Sequence, residues 1–199
     1  MSQEPDSRSR MLRTAARLLQ RQGYHATGLR QILAESGAPR GSLYFHFPGG
    51  KEELAVAAVQ AMGKRIARLI AQLLGAHADP ADAIDAFVRA FAEILRASDY
   101  AEGCPVATVT LEAAASSAAI RAACDEAYVE WQRQIAAYLS GAGVAAGQAE
   151  PLATLVLAAA EGGLILSRAR HDIEPLATIA GQLAGILRGA LPAKKRTHR

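Results

Sequence analysis

Apolar residues recur at the helical spacings i, i+3, i+4 and i+7 along most of the chain, and this periodicity limits its possible folds more than any other feature. Alternation of apolar and polar residues, which is typical of half-buried strands, is almost absent. The sequence is also rich in alanine, the residue with the highest helix propensity. The pattern predicts an all-α protein of nine helices, three short ones followed by six that are mostly long.

Glycine, proline and capping residues set the predicted helix ends. Gly23 is expected directly after the first helix, and Thr27 is expected as the N-cap of a second helix over residues 28–36. Gly37 lies in a tight turn before a third helix over residues 40–46. The predicted apolar stripe of the first helix consists of Leu12, Ala15, Ala16 and Leu19. The six later helices are predicted over residues 51–74, 80–98, 105–115, 117–140, 148–170 and 175–191.

Charge is distributed unevenly along the sequence. Residues 1–51 carry eight basic and three acidic side chains, residues 52–193 carry ten basic and sixteen acidic ones, and the last six residues add four basic groups. This segregation predicts a polyanion-binding module joined to one that does not bind polyanions; chance clustering on a solvated face is the alternative. We expect a polyanion-binding head over residues 1–50, a body over 51–191 and a basic tail over 192–199.

Composition and the absence of known motifs exclude several classes of protein. Apolar residues make up 51% of the chain, which is enough for a core, and two cysteines are too few for a disulfide framework. The polar first ten residues lack the core of a signal peptide, and Glu161 interrupts the most apolar stretch, so we expect a soluble cytoplasmic protein with no membrane span. No catalytic, metal-binding or cofactor-binding motif is present, so no catalytic residue, metal or cofactor is expected.

The first fifty residues match the pattern of a helix-turn-helix unit, in which a tight turn joins the second and third helices. In such a unit the third helix enters the major groove of DNA with its N-terminal end first. Arg40, Gly41 and Ser42 lie at that end, where a guanidinium can bond guanine and a glycine lets the backbone approach closely. Leu43 and Phe47 are four residues apart and are expected to anchor this helix to the first two.

Four further residues are expected to contact DNA phosphates. Tyr44 and His46 point away from the anchoring face of the third helix, so their polar tips can reach the DNA backbone. Thr27 and Lys51 are placed at helix N-termini, which favour anions. The alternatives are packing for Tyr44, no DNA contact for His46 and capping alone for Thr27.

Together these residues make the head resemble the TetR family of transcriptional regulators. The resemblance rests on Thr27, Ile32, Ala34, Gly37, the run GSLYFHF over residues 41–47, and KEEL over residues 51–54. Members of that family usually have a Ser or Asn cap on the fourth helix, where this sequence has Gly50, which caps almost as well. The strings FPGGKEEL and EGCPVATVTLEAA, the latter over residues 102–114, are similar to the branch that includes the multidrug-efflux repressors LmrA and YxaF.

Aromatic residues of the body predict a binding site for a flat or lipophilic small molecule. Ordinary core packing is the alternative interpretation of their helical spacing, and the resemblance favours the binding site because the TetR body usually holds an inducer. The candidate ligand-binding residues are Phe87, Phe91, Tyr100, Cys104, Tyr128 and Trp131.

The last two predicted helices are apolar on more than one face. One ribbon consists of Leu152, Leu155, Val156, Ala159, Gly162 and Leu166, and the other of Leu176, Ile179, Leu183, Ile186 and Leu187. A monomer needs one buried stripe per surface helix, so the excess predicts a homodimer formed through these helices. The pair Gly162–Gly163 indicates either close contact with a partner helix or a local kink.

These observations predict a homodimeric repressor that binds a palindromic operator in double-stranded DNA and is released by a small-molecule inducer. One alternative is an activator that responds to a ligand or to oxidation of Cys104. Another is an enzyme or ligand-sequestering protein whose basic head is incidental.

Overall fold

The computed structural model describes residues 6–191, and these residues form nine α-helices and no strand. The helices are α1 (Ser7–Ala26), α2 (Leu29–Ser36), α3 (Arg40–His46), α4 (Gly50–Gly75), α5 (Pro80–Ala97), α6 (Pro105–Ala113), α7 (Ala118–Gly141), α8 (Ala146–Arg170) and α9 (Glu174–Ala190). The all-α prediction is confirmed, and from α2 onward each helix end lies within two residues of its predicted position. The predicted basic tail, residues 192–199, lies outside the described residues.

The chain divides into two compact units. The first contains the described residues up to Ile66 together with Ala101–Val129. The second contains Ala67–Tyr100 together with the described residues from Glu130 onward. A boundary after residue 50 stays a prediction.

In the first unit, α1 packs against α2, α3 and α6. Its buried face is Met11, Thr14, Ala15, Leu18, Leu19 and Gly23. The predicted stripe was therefore wrong in part, because Leu12 and Ala16 are only half-buried. The apolar band of α1 is wider than one stripe, and packing against several helices determines which side of the band is buried.

The end of α1 differs from the prediction at Gly23 and Thr27. Helical hydrogen bonding continues to Ala26 across a kink at Gly23, whose φ of 78° and ψ of −177° favour glycine. The prediction of Thr27 as the N-cap of α2 was wrong. Gly28 occupies the N-cap position, whereas Thr27 ends α1 and donates its hydroxyl to the Gly23 carbonyl at 2.6 Å.

The backbone at the start of α4 favours glycine at position 50. Gly50 has a φ of 68°, in the left-handed region where a side chain is strained. The Gly49 N–H donates to the Glu53 carboxylate at 2.7 Å, which satisfies one of the free amides ahead of the helix.

In the second unit, α5 packs against α9 and α8, and α8 packs against α9. Asp79 caps α5 by accepting a hydrogen bond from the Ala81 N–H at 2.8 Å. Ile84, Phe87 and Leu95 form the buried stripe of α5 together with neighbouring small residues.

One member of the α8 glycine pair, Gly163, lies against α9 of the same chain, and contact of the pair with a partner helix stays a prediction. A Cβ at Gly163 would lie 2.8 Å from side-chain atoms of Leu176 and of Ile179 on α9, whereas a Cβ at Gly162 would meet nothing within 4 Å. Gly163 therefore permits the close approach of α8 and α9 within one chain.

The sequence analysis expected no segment that could span a membrane, but one helix, α8, passes the test of length and composition. Residues Gly147–Arg170 of α8 are long enough, and they contain an 18-residue stretch that is apolar enough by composition, with a mean hydropathy of 1.5. A single such helix is weak support for a span, because core helices have the same composition. Buried α8 residues such as Val156 and Leu164 belong to the core of the second unit.

Candidate nucleic-acid interface

Helix α3 has one buried face and one exposed face. Leu43 and Phe47 are each only 1% exposed, as expected for anchoring residues, and α3 packs against α1. Tyr44 is 63% exposed, so the packing alternative for this residue is wrong. Phe45 is 81% exposed. Two adjacent exposed aromatic rings form an apolar patch of the kind that marks interaction sites, so this face has the character of a contact surface.

Phe45 is the residue of this surface that the sequence analysis missed. It follows Tyr44 directly and precedes His46, whose ring centroid is 4.9 Å away in an edge-to-face arrangement. Its exposure was predictable from the helical spacing. Phe45 is two residues from both anchors, Leu43 and Phe47, so it cannot share their buried face. An exposed aromatic ring of this kind suits apolar contact with a thymine methyl group.

The N-terminal end of α3 is open. Arg40 and Gly41 are exposed, and a Cβ at Gly41 would meet nothing within 4 Å. Ser42 is half-buried and donates its hydroxyl to the Pro39 carbonyl at 2.6 Å, which leaves the oxygen lone pairs as acceptors. This end therefore presents one guanidinium and an unobstructed backbone.

His46 and Thr27 are both engaged within the protein. The His46 Nε2 lies 3.0 Å from the Ser7 hydroxyl, so this histidine holds the start of α1 against the end of α3. Thr27 is 1% exposed, and its backbone N–H donates to the Tyr24 carbonyl at 3.3 Å. Thr27 is thus placed to fix the α1–α2 junction. Direct contact of Thr27 or His46 with a DNA phosphate stays a prediction.

Lys51 lies beside the α1–α2 junction. Its Nζ is 3.5 Å from the His25 carbonyl oxygen and 4.4 Å from the centroid of the Tyr24 ring. Burial lowers the pKa of Lys51, and the nearby Glu112 carboxylate opposes that shift. The ammonium is half-buried and carries three donors, so its bond to His25 leaves donors for a phosphate.

Two of the α1 arginines hold α2 in place. The Arg10 Nε donates to the Ser36 carbonyl at 3.1 Å, which satisfies an acceptor at the C-terminal end of α2. Arg17 pairs with Glu35 at 2.6 Å. The pKa of Glu35 is lowered by hydrogen bonds from Gln31 and then from Arg17. These contacts orient α2, on which the position of α3 depends.

The six candidate ligand-binding residues fall in both compact units. In the second unit, Phe87 and Phe91 are buried and lie edge to face with centroids 5.1 Å apart, and Trp131 is 1% exposed. Tyr100 has a φ of 58° and lies 4.1 Å, centroid to centroid, from the His171 ring. In the first unit, Cys104 is buried and Tyr128 is half-buried. Their role in ligand binding stays a prediction.

No cluster of three or more His, Cys, Asp or Glu side chains within residues 6–191 is arranged to hold a metal. Cys124, the second cysteine, is buried, and burial raises the pKa of its thiol, against a hydrogen bond with Thr110 that lowers it.

Comparison with known families decides what this arrangement is. The sequence-family model described as "Bacterial regulatory proteins, tetR family" matches residues 11–58, which contain α2 and α3. The model described as "Transcriptional regulator LmrA/YxaF-like, C-terminal domain" matches residues 80–182. The chain belongs to the TetR family.

Two relatives from Bacillus subtilis support this membership over nearly the full length of the chain. The HTH-type transcriptional regulator YxaF is 42% identical over 188 residues, which cover 94% of this chain and 98% of the relative. The HTH-type transcriptional regulator LmrA is 42% identical over 183 residues, with 92% and 97% covered. The resemblance to the LmrA/YxaF branch is confirmed, and these families are families of regulators rather than enzymes.

Solved structures show the same TetR fold. The regulatory protein TetR from Rhodobacter sphaeroides superimposes with a TM-score of 0.81 at 24% identity, covering 90% of this chain and 97% of that one. A TetR transcriptional regulator from Chloroflexus aurantiacus gives a TM-score of 0.78 at 26% identity, covering 92% and 94%. The chain is therefore a TetR-family transcriptional regulator with a helix-turn-helix DNA-binding segment.

Proposed function

We propose that this TetR-family regulator is a cytoplasmic homodimeric repressor that binds a palindromic operator through α3 and releases it when a small lipophilic ligand binds. The observation that carries the DNA-binding part is the division of α3 into an anchored face and an open face. Leu43 and Phe47 are buried, whereas Arg40, Tyr44 and Phe45 are exposed. A helix held in this way can enter a major groove without unpacking from its own unit.

The homodimer is supported by apolar side chains left uncovered on α8 and α9. Leu155, Ile165 and Leu166 on α8 are 42%, 56% and 48% exposed, and Ile186 on α9 is 45% exposed. Gly185, next to Ile186, has open space where a side chain would stand. A second copy of the same face would cover these side chains and place two α3 helices for successive major grooves.

Selection of bound sequences from random duplex DNA tests the function as a whole. We expect a palindrome whose half-site centres lie about 34–36 Å apart along the helix axis. Affinity for the selected duplex should fall steeply with salt, because bound phosphates release counterions. Recovery of no preferred sequence, with no salt dependence, would instead favour the ligand-sequestering alternative.

Arg40 is expected to determine sequence preference. Its guanidinium is exposed at the leading end of α3, so Arg40→Ala should cost about 1–3 kcal/mol of discrimination at one base pair in each half-site. Repeating the selection with the variant checks this: the logo should lose information at that position only. Arg65→Ala is the matched control, because Arg65 is also exposed but lies within α4, and it should leave the logo unchanged.

Trp131 provides a direct test of ligand binding. It is the chain's one tryptophan and is buried near the middle of α7, so a lipophilic ligand close to it should change its fluorescence. Titration with a panel of flat aromatic compounds should find ligands that lower operator affinity about 5- to 150-fold. Trp131→Phe should remove the optical signal. Ligands that bind tightly but leave operator affinity unchanged would contradict release by a ligand.

A further inference from the structure

The junction between α1 and α2 is held by side chains from two other helices. The His25 backbone N–H donates to the Glu112 carboxylate at 2.9 Å, and Glu112 belongs to the last turn of α6. The Lys51 ammonium at the start of α4 lies 3.5 Å from the His25 carbonyl oxygen. The backbone N–H of His25 is therefore bonded to an anion, a charge-assisted contact of the stronger kind, and its carbonyl oxygen faces the Lys51 ammonium at a longer distance.

A second contact joins the same two residues. The His25 ring nitrogen Nε2 lies 3.1 Å from the Glu112 backbone carbonyl oxygen. Glu112 thus meets both the backbone and the side chain of His25, which fixes the rotation of the junction as well as its position. We call Glu112, Lys51 and His25 the junction clasp.

Gly23 makes room for the clasp. A Cβ at Gly23 would lie 1.8 Å from the Glu112 Oε1 and 2.4 Å from its carboxyl carbon, so any other residue would displace the carboxylate. The φ of 78° at Gly23 also bends the chain so that the His25 N–H faces α6. The kink in α1 and the position of Glu112 are therefore parts of one arrangement.

The corner between α6 and α7 makes one more bond to the DNA-binding segment. The Ser117 hydroxyl donates to the Glu52 carboxylate in the first turn of α4. Ser117 also caps α7 by accepting a hydrogen bond from the Ile120 N–H at 3.1 Å. The corner is consequently bonded to the end of α1 through Glu112 and to the start of α4 through Ser117, on both sides of α2 and α3.

We infer that Glu112 is a positioning residue for DNA binding, which sets the direction of α2 and α3 without contacting DNA. The inference rests on the DNA-binding role proposed above. All of its contacts lie within the first compact unit. They join residues of the TetR N-terminal family match, 11–58, to a residue of the LmrA/YxaF-like match, 80–182, so a shift of α6 would change the orientation of the recognition helix.

The test compares Glu112→Ala with Glu112→Gln in the full chain. Alanine removes the acceptor for the His25 N–H, and we expect affinity for the selected operator to fall about fivefold or more. Glutamine keeps an acceptor oxygen, so it should recover most of that loss. Glu150→Ala is the control, because Glu150 is an exposed glutamate on α8 in the second unit, and it should bind the operator as the parent protein does.

A spectroscopic reading separates positioning from general destabilisation. In Glu112→Ala the His25 amide proton should shift upfield in the ¹⁵N–¹H spectrum and exchange faster with solvent, whereas amides of α5 and α9 should not change. Helical circular dichroism of each variant confirms that it is folded. A folded Glu112→Ala protein with unchanged operator affinity would overturn the positioning role alone. A parent protein that selects no duplex would overturn the proposed function and the positioning role together.

Discussion

A double substitution, Leu166→Glu with Ile186→Glu, is expected to convert the protein to monomers and to weaken operator binding about 100-fold or more. Both side chains are nearly half exposed on the uncovered face of α8 and α9, so each glutamate adds a charge where the proposed interface is apolar. Two linked heads bind about 10²–10⁴ times more tightly than one, and a monomer loses that advantage. Light scattering after gel filtration gives the mass, and titration of the palindrome gives the affinity.

Val129→Glu is the matched control for that experiment. Val129 is also an exposed apolar residue, 53% accessible, but it lies on α7 rather than on α8 or α9. It should leave both the oligomeric state and the operator affinity unchanged. A doubly substituted protein that stays dimeric would show that the two copies meet through another surface, and a monomer with full affinity would show that one head is sufficient.

Phe47→Ala is expected to be the most destabilising single change in the DNA-binding segment. The ring is 1% exposed, and the Arg8 guanidinium lies 5.4 Å from its centroid. Removing a buried phenylalanine costs about 3–5 kcal/mol. For a chain of this length that corresponds to a fall of about 6–20 °C in the melting temperature of the first unit. Calorimetry measures the fall, and operator binding should be lost because α3 has lost its anchor.

Phe45→Ala separates the structural role of the aromatic residues on α3, which is packing, from their proposed role in contacting DNA. Phe45 is the same residue type two positions away, but it is 81% exposed, so its removal leaves no cavity. The melting temperature should stay within about 2 °C of the parent value, since surface substitutions change stability by roughly 0.5 kcal/mol at most. Operator affinity should nonetheless fall. A large loss of stability in Phe45→Ala would mean that this ring packs against the protein and does not face DNA.

The helix pattern, the faces of α3 and the family were predictable from the sequence because each depends on residues close together in the chain. Apolar spacing predicts a helix from residues one or two turns apart, and its ends are set locally, as Gly37 ends α2 and Pro80 begins α5. The burial of Leu43 and Phe47 and the exposure of Tyr44 follow from their positions around a single helix. The family resemblance is likewise a short run of adjacent residues.

Only the tertiary structure decided what Thr27, Gly23 and Glu112 do. Thr27 has the sequence character of an N-cap, yet its hydroxyl is bonded backwards to Gly23 because α1 continues through a kink. The carboxylate that occupies the space beside that kink lies 89 positions away, in α6. Periodicity reports which residues share a face of one helix, but it holds no information about which distant side chain that face will meet. Contacts of that kind form when the helices pack, and they determine where the recognition helix is held.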